Sequence, residues 1–288
     1  MNLLGKNKFG DLIFKILISY IIFIILIYVF NHDNYDRLSS FLIVFFAAII
    51  ALFLLGIGGV SRYGFNITKY FIIGFLIKIV IGFLFWELYL FPDYFSISTS
   101  QFHFDHFEYL YTNQLMQEFA EYRISNGIFS YPIVAILAKS GFIHYLMSNM
   151  YLSGSFNPLD LAVQNSLFSI FTALIIAHIV KLEGGSSKQI KFALLLTIFQ
   201  PLSFISTIIW RDVVGQFFIA LGGYLLYSAT RANKILMLFF AIMASLSMFL
   251  QRYIYTLYPF IAIGGYYLFQ NKNKLRLLLV VPLLGYFV

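Results

Sequence analysis

The sequence contains a series of long, unbroken apolar runs, and these runs constrain the fold more than any other feature. A helix needs about 20 apolar residues to cross a hydrocarbon core of roughly 30 Å, and about eight runs approach or reach that length. They cover residues 12–30, 38–58, 70–91, 159–180, 192–210, 213–230, 235–250 and 253–270. The stretch Ile21–Ile27 is continuously apolar apart from no polar alternation of the kind that a membrane barrel strand requires. The sequence therefore predicts an all-α, polytopic transmembrane helical bundle.

Composition excludes a water-soluble fold independently of the runs. The chain is 61% apolar and 11% charged, whereas a soluble domain is roughly 45–50% apolar and about 25% charged. The chain has no cysteine, which excludes disulfides, thiolate metal sites and cysteine nucleophiles. We therefore expect the lipid bilayer to be a partner of the chain, and we expect no nucleic acid, although the net charge is +7.

The charged residues predict which side of the membrane each loop occupies, because cytoplasmic loops are enriched in Lys and Arg. With a cytoplasmic N-terminus, most basic residues fall inside: Lys6, Lys8, Arg62, Lys69, Lys181, Lys188, Lys191, Arg231, Lys234, Lys272, Lys274 and Arg276. Most acidic residues fall outside. We therefore expect a multi-pass protein of the cell (inner) membrane with a cytoplasmic N-terminus.

The whole chain, 1–288, is predicted to form one transmembrane domain. Three spans (12–91) precede an extracytoplasmic segment (92–157), and the remaining spans follow at 158–288. A partial ninth run, 275–288, would be about 21 Å long as a helix, which is shorter than the hydrocarbon core. We therefore expect the chain to be truncated at its C-terminus.

The extracytoplasmic segment 92–157 carries the first candidate site. Aromatic and apolar residues recur there every three or four positions, which predicts amphipathic helices at the membrane surface. Asp105 and Glu108 lie three residues apart, and His103 and His106 flank them. Asp105 could act as a general base on a sugar hydroxyl, or could hold a divalent cation with His106. The alternative is a solvated helix face, and no third metal ligand is identifiable, so we expect no cofactor beyond such a cation.

A second group of candidate residues is basic and suits a phosphate-bearing substrate. Arg211 and Asp212 are predicted in a short outer turn, and Arg252 in the next outer turn. A guanidinium group binds phosphate oxygens in a bidentate manner, although Arg211 and Asp212 may equally close a hairpin, as most such pairs do. Lys78 lies deep in the third predicted span, where an ionisable group marks a functional site by default. Gln200-Pro201 predicts a kink in the fifth span.

The order of these features resembles a known group of membrane enzymes. An acidic, aromatic outer segment (Asp105-His106-Phe107-Glu108-Tyr109) precedes Tyr131-Pro132, and a later span ends in Ile209-Trp210-Arg211-Asp212. This layout resembles GT-C-type membrane glycosyltransferases and bacterial polysaccharide (O-antigen or capsule) polymerases. The resemblance implies a polyprenyl-(pyro)phosphate-linked sugar or glycan as substrate, Asp105 as the reacting carboxylate and Arg211 as a phosphate contact. The chain departs from the usual plan, because two spans precede the third and the acidic segment.

The sequence thus favours a glycosyltransferase or polysaccharide polymerase acting on the extracytoplasmic face, and two alternatives stay open. In a transporter or flippase of lipid-linked oligosaccharide, Lys78, Gln200 and Pro201 would be the central residues. A non-catalytic membrane protein would need none of these polar residues.

Overall fold

Seven helices make up most of the structure. A computed structural model describes residues 8–31, 37–84, 158–200, 211–232, 238–244 and 261. The helices are α1 (Lys8–Asn31), α2 (Arg37–Gly56), α3 (Gly59–Tyr63), α4 (Ile67–Leu84), α5 (Pro158–Leu182), α6 (Ser187–Phe199) and α7 (Arg211–Ala232). Residues 238–244 are also helical. All regular structure in the described part of the chain is helical, as the sequence predicts.

Three helices are long and apolar enough to cross a membrane. They contain the spans Asp11–Asn31, Leu38–Gly56 and Ala162–Leu182, and α7 contains a shorter apolar stretch, Val213–Ala229. These segments match the predicted runs 12–30, 38–58, 159–180 and 213–230. The predicted amphipathic segment 92–157 and the run 275–288 lie outside the described residues, so the count of about eight spans stays a prediction.

Helix α5 is the central helix of the described bundle. It packs against α2, α4 and α6, and the Tyr20 ring of α1 lies 5.2 Å from the ring of Phe168. Most of its membrane-spanning stretch is buried, whereas α1 and α2 leave large apolar side chains such as Phe14 and Phe46 about 60% and 59% exposed. An apolar exposed surface is expected where a helix faces lipid. The first two helices therefore form the lipid-facing side of α5.

A tight reversal with a short helix, α3, connects α2 to α4. Gly58 and Gly64 flank α3 with φ of 74° and 79°, a left-handed conformation that glycine adopts without steric cost. A methyl group on Gly56 would overlap the side chain of Thr68. The glycines therefore allow α2 and α4 to approach closely on both sides of the turn.

Helix α6 differs from the predicted span at 192–210. It begins with a capping box between Ser186 and Gln189, which satisfies two backbone N–H groups. It ends at Phe199, and Gln200 is extended, with φ −63° and ψ 146°. The prediction of a kink within a continuous helix is therefore wrong at Gln200, because a residue that precedes proline disfavours the helical conformation.

The chain divides into two compact units, residues 1–213 and 214–288. The first unit contains α1 to α6, and the packing described above belongs to it. The second contains most of α7 and the helical residues 238–244.

Candidate functional site

The structure describes some of the predicted site residues and leaves others aside. His103, Asp105, His106, Glu108 and Arg252 lie outside the described residues. Arg211 and Asp212 are the first two residues of α7, and their side chains are not described. Lys78 is described in full, and it therefore anchors the account of the site.

Lys78 lies inside α4 with no exposed surface. One turn earlier, Gly74 lies against two other helices: a methyl group there would be 2.5 Å from Ile198 Cγ2 and 3.6 Å from Ile170 Cδ1. The Phe75 ring is 5.7 Å from the Phe45 ring of α2. Helices α2, α5 and α6 thus surround α4 near Lys78. The expectation of a deeply placed lysine is borne out by its complete burial.

The level of Lys78 coincides with a polar stretch of α5. Tyr63 contacts His178 and Gly74 lies near Ile170, so α4 and α5 run antiparallel. Lys78, four residues after Gly74, is therefore at about the level of Ser166. The polar residues next to that level are Gln164 and Asn165, and all three of these α5 side chains are buried.

Seven buried polar residues on α5 form what we call the α5 polar set. Its members are Asp160, Gln164, Asn165, Ser166, Ser169, Thr172 and His178. Two hydroxyls bond within the helix: Ser166 donates to Ala162 O at 2.8 Å, and Thr172 donates to Phe168 O at 3.0 Å. These two residues therefore satisfy their own polar groups, and the other members carry the interest.

Asp160 ends a buried hydrogen-bonded chain that joins three helices. Asn31 Nδ2 in α1 donates to Ser40 Oγ in α2 at 2.8 Å, and Ser40 Oγ donates to Asp160 Oδ2 in α5 at 2.5 Å. Asn31 and Ser40 have no exposed surface, and Asp160 is 6% exposed. We call these three residues the Asn31–Ser40–Asp160 chain. It lies at the end of the bundle that the charge pattern predicts to be extracytoplasmic.

The direction of the donors in this chain fits an ionised Asp160. Each donor points toward the carboxylate, and a hydrogen bond to a charged acceptor is stronger than a neutral one. Asp160 also lies in the first turn of α5, where the helix dipole stabilises negative charge. The sequence alone places Asp160 only among the outer acidic residues.

An apolar groove opens beside this chain between α1 and α2. Its volume is about 510 Å³, and its lining is apolar apart from Ser39, the neighbour of Ser40 in sequence. Leu38, Phe46 and Phe30 border it and are well exposed. The groove offers no acid, base or nucleophile, so it suits a hydrocarbon chain rather than a reaction.

A second network closes the opposite end of the bundle around α3. Arg62 pairs with Asp11, Lys181 Nζ donates to the Arg62 carbonyl, and Lys15 Nζ donates to Ile57 O at 2.7 Å. The Tyr63 hydroxyl lies 3.1 Å from His178 Nδ1. Burial raises the pKa of Tyr63 to about 12. Because these groups bind one another and the backbone, we assign the network to holding the α2–α4 reversal.

Sequence reading missed the Asn31–Ser40–Asp160 chain, although one signal was present. Asp160 and Gln164 are four residues apart in an otherwise apolar run, so they share a helix face. Nothing in the sequence pairs them with Asn31 and Ser40, which lie more than a hundred positions away. Within the described ranges, no group of three or more His, Cys, Asp or Glu side chains is placed to hold a metal ion. No family model, curated protein or solved structure matches the chain.

Proposed function

We propose that the chain is a membrane glycosyltransferase or polysaccharide polymerase that uses a polyprenyl-(pyro)phosphate-linked sugar on the extracytoplasmic face. The Asn31–Ser40–Asp160 chain carries this proposal. Its three helix ends border the segments adjoining 92–157, and they are held together by buried polar groups. A reaction site needs rigid support beneath it, and this end of the bundle has such support.

Each candidate residue has a role in the proposed transfer. Asp105 takes the proton from the acceptor hydroxyl as that oxygen forms a bond to the sugar's anomeric carbon. The bond from that carbon to the phosphate oxygen breaks, and the polyprenyl (pyro)phosphate leaves with the bonding electrons. Arg211 and Arg252 neutralise the leaving phosphate, and Glu108 assists as an acid or as a cation ligand.

The groove between α1 and α2 supports a lipid-borne substrate. Its apolar lining and its opening toward the lipid-facing side suit an isoprenoid chain. Burial of such a chain is favourable at about 25 cal/mol per Å² of apolar surface removed from water. The polar head of the same molecule would then lie near the outer helix ends.

Paired substitutions in the outer segment test the proposal. Asp105→Asn removes the base at nearly constant volume, and general-base loss lowers rates by about 10²–10⁴-fold. Glu121→Gln is the control, since it changes an acid of the same segment that has no assigned role. We expect Asp105→Asn to abolish glycan formation in cells and Glu121→Gln to preserve it. Equal activity of the two variants would refute the role of Asp105.

Transport of a lipid-linked oligosaccharide is the second candidate, and the burial of Lys78 favours it. A cation inside the membrane is expensive and often lies on a substrate path. Lys78→Met keeps the length of the side chain and removes its charge. If transport is the function, this variant stops movement of the lipid-linked glycan across the bilayer, while Asp105→Asn does not.

The predicted orientation can be measured separately, because the chain has no cysteine. Single cysteines at Ser100, Ser125 and Ser187 can each be treated with an impermeant thiol reagent on intact cells. We expect labelling at positions 100 and 125 but not at 187. Labelling at 187 alone would place the outer segment inside the cell and rule out the proposed site.

A further inference from the structure

We propose that the Asn31–Ser40–Asp160 chain, together with Gln164, forms a binding site for a monovalent cation, Na⁺. The site joins α1, α2 and α5 within the bundle. It goes beyond the proposed transfer reaction, because it needs no sugar, lipid carrier or outer-segment carboxylate.

Two buried amide oxygens are the first observation behind this site. Asn31 has no exposed surface and Gln164 is 4% exposed. In the described part of the chain, Asn31 Oδ1 and Gln164 Oε1 accept no hydrogen bond. A buried acceptor without a donor costs roughly 1–3 kcal/mol. Both oxygens therefore favour a cation.

The placement of these oxygens relative to Asp160 is the second observation. Asn31 reaches Asp160 through a single hydroxyl, that of Ser40. Gln164 follows Asp160 by one helical turn, so the two side chains share a face of α5. A carboxylate oxygen and neutral amide oxygens are the hard ligands that alkali and alkaline-earth cations prefer.

The charges at the site favour a monovalent cation over a divalent one. Asp160 supplies a single negative charge. The last turn of α1, which ends at Asn31, contains no basic residue, so the negative end of that helix dipole adds partial charge. Helix C-terminal ends and polar oxygens bind Na⁺ in the same way in membrane transporters. One full charge balances one Na⁺.

Direct binding of Na⁺ to the purified full chain in detergent tests this site. Radioactive Na⁺ serves as the probe, and N-methylglucamine chloride keeps the ionic strength constant. We expect saturable binding to the parent chain that is at least tenfold weaker in Gln164→Leu and lost in Asp160→Asn. Thr172→Val is the matched control, since the Thr172 hydroxyl bonds only within its own helix among the described contacts. We expect it to bind as the parent does.

A thermal measurement keeps the test valid if Asp160→Asn fails to fold. Na⁺ should raise the unfolding temperature of the parent and of Thr172→Val over N-methylglucamine, and should not raise that of Gln164→Leu. Equal stabilisation of Gln164→Leu and the parent would overturn the site. So would stabilisation by acid in place of Na⁺, since a protonated Asp160 would then explain the chain. Loss of glycan formation with Na⁺ binding intact would count against the proposed function alone.

Discussion

Substitution of Ser40 by alanine should destabilise the bundle strongly, because one hydroxyl joins three helices. Ser40 accepts a hydrogen bond from Asn31 Nδ2 and donates one to Asp160 Oδ2. Ser40→Ala removes both bonds and leaves an amide donor and a carboxylate oxygen buried. The change in volume is a single oxygen, so packing loss is a minor contribution.

The size of the effect follows from these two bonds. A hydrogen bond to a charged group contributes about 1.5–3 kcal/mol, and a neutral one about 0.5–1.5 kcal/mol. We therefore expect Ser40→Ala to lower the free energy of unfolding by about 2–4 kcal/mol. The exposure of Asp160 is only 6%, so water replaces little of what is lost.

Reversible unfolding in mixed micelles, followed by circular dichroism, measures the change. Ser166→Ala is the matched control: Ser166 is equally buried, but its hydroxyl bonds to Ala162 O in its own helix. We expect the control to change stability by less than about 1 kcal/mol, since such hydroxyls contribute little to helix stability. Equal losses for the two alanine variants would refute the idea that the Asn31–Ser40–Asp160 chain stabilises the bundle.

Three further predictions concern packing and the network around α3. Gly74→Ala should cost about 1–3 kcal/mol through the clash with Ile198 Cγ2, and Ile198→Ala should restore part of that loss in a double-mutant cycle. The Arg62–Asp11 pair, with side chains 21% and 40% exposed, should contribute at most about 1 kcal/mol in a double-mutant cycle and less in high salt; a larger, salt-independent coupling would contradict this. Burial raises the pKa of Tyr63 from 10.0 to about 12, so its contribution to stability is present below pH 10.0 and is lost as the pH rises through about 12. Subtracting the pH profile of Tyr63→Phe from that of the parent should reveal this loss, and identical profiles would contradict it.

The helices were predictable because their physical cause is local. A run such as 12–30 must be buried in lipid as a helix, since no other backbone satisfies its own hydrogen bonds there. The burial of Lys78 followed from the same reasoning. The end of α6 at Phe199 was mispredicted because hydropathy continues across Pro201, whereas the backbone preference before proline does not.

The contacts between distant residues were not predictable. Asn31, Ser40 and Asp160 meet because α1, α2 and α5 pack together, and that packing depends on the shapes of many apolar side chains. A single sequence contains the polar residues but not their pairing. The proposed roles of Asp105 and Arg252 rest on sequence pattern, since both residues lie outside the described ranges.

Glycan transfer by the purified chain tests the proposed function most directly. The parent chain and Asp105→Asn are reconstituted in liposomes with a labelled polyprenyl-pyrophosphate-linked oligosaccharide, and both glycan length and released polyprenyl pyrophosphate are measured. The account predicts that the parent lengthens the glycan and releases the carrier, and that Asp105→Asn does neither. Movement of the intact labelled lipid across the bilayer, with no change in glycan length in either protein, would contradict it.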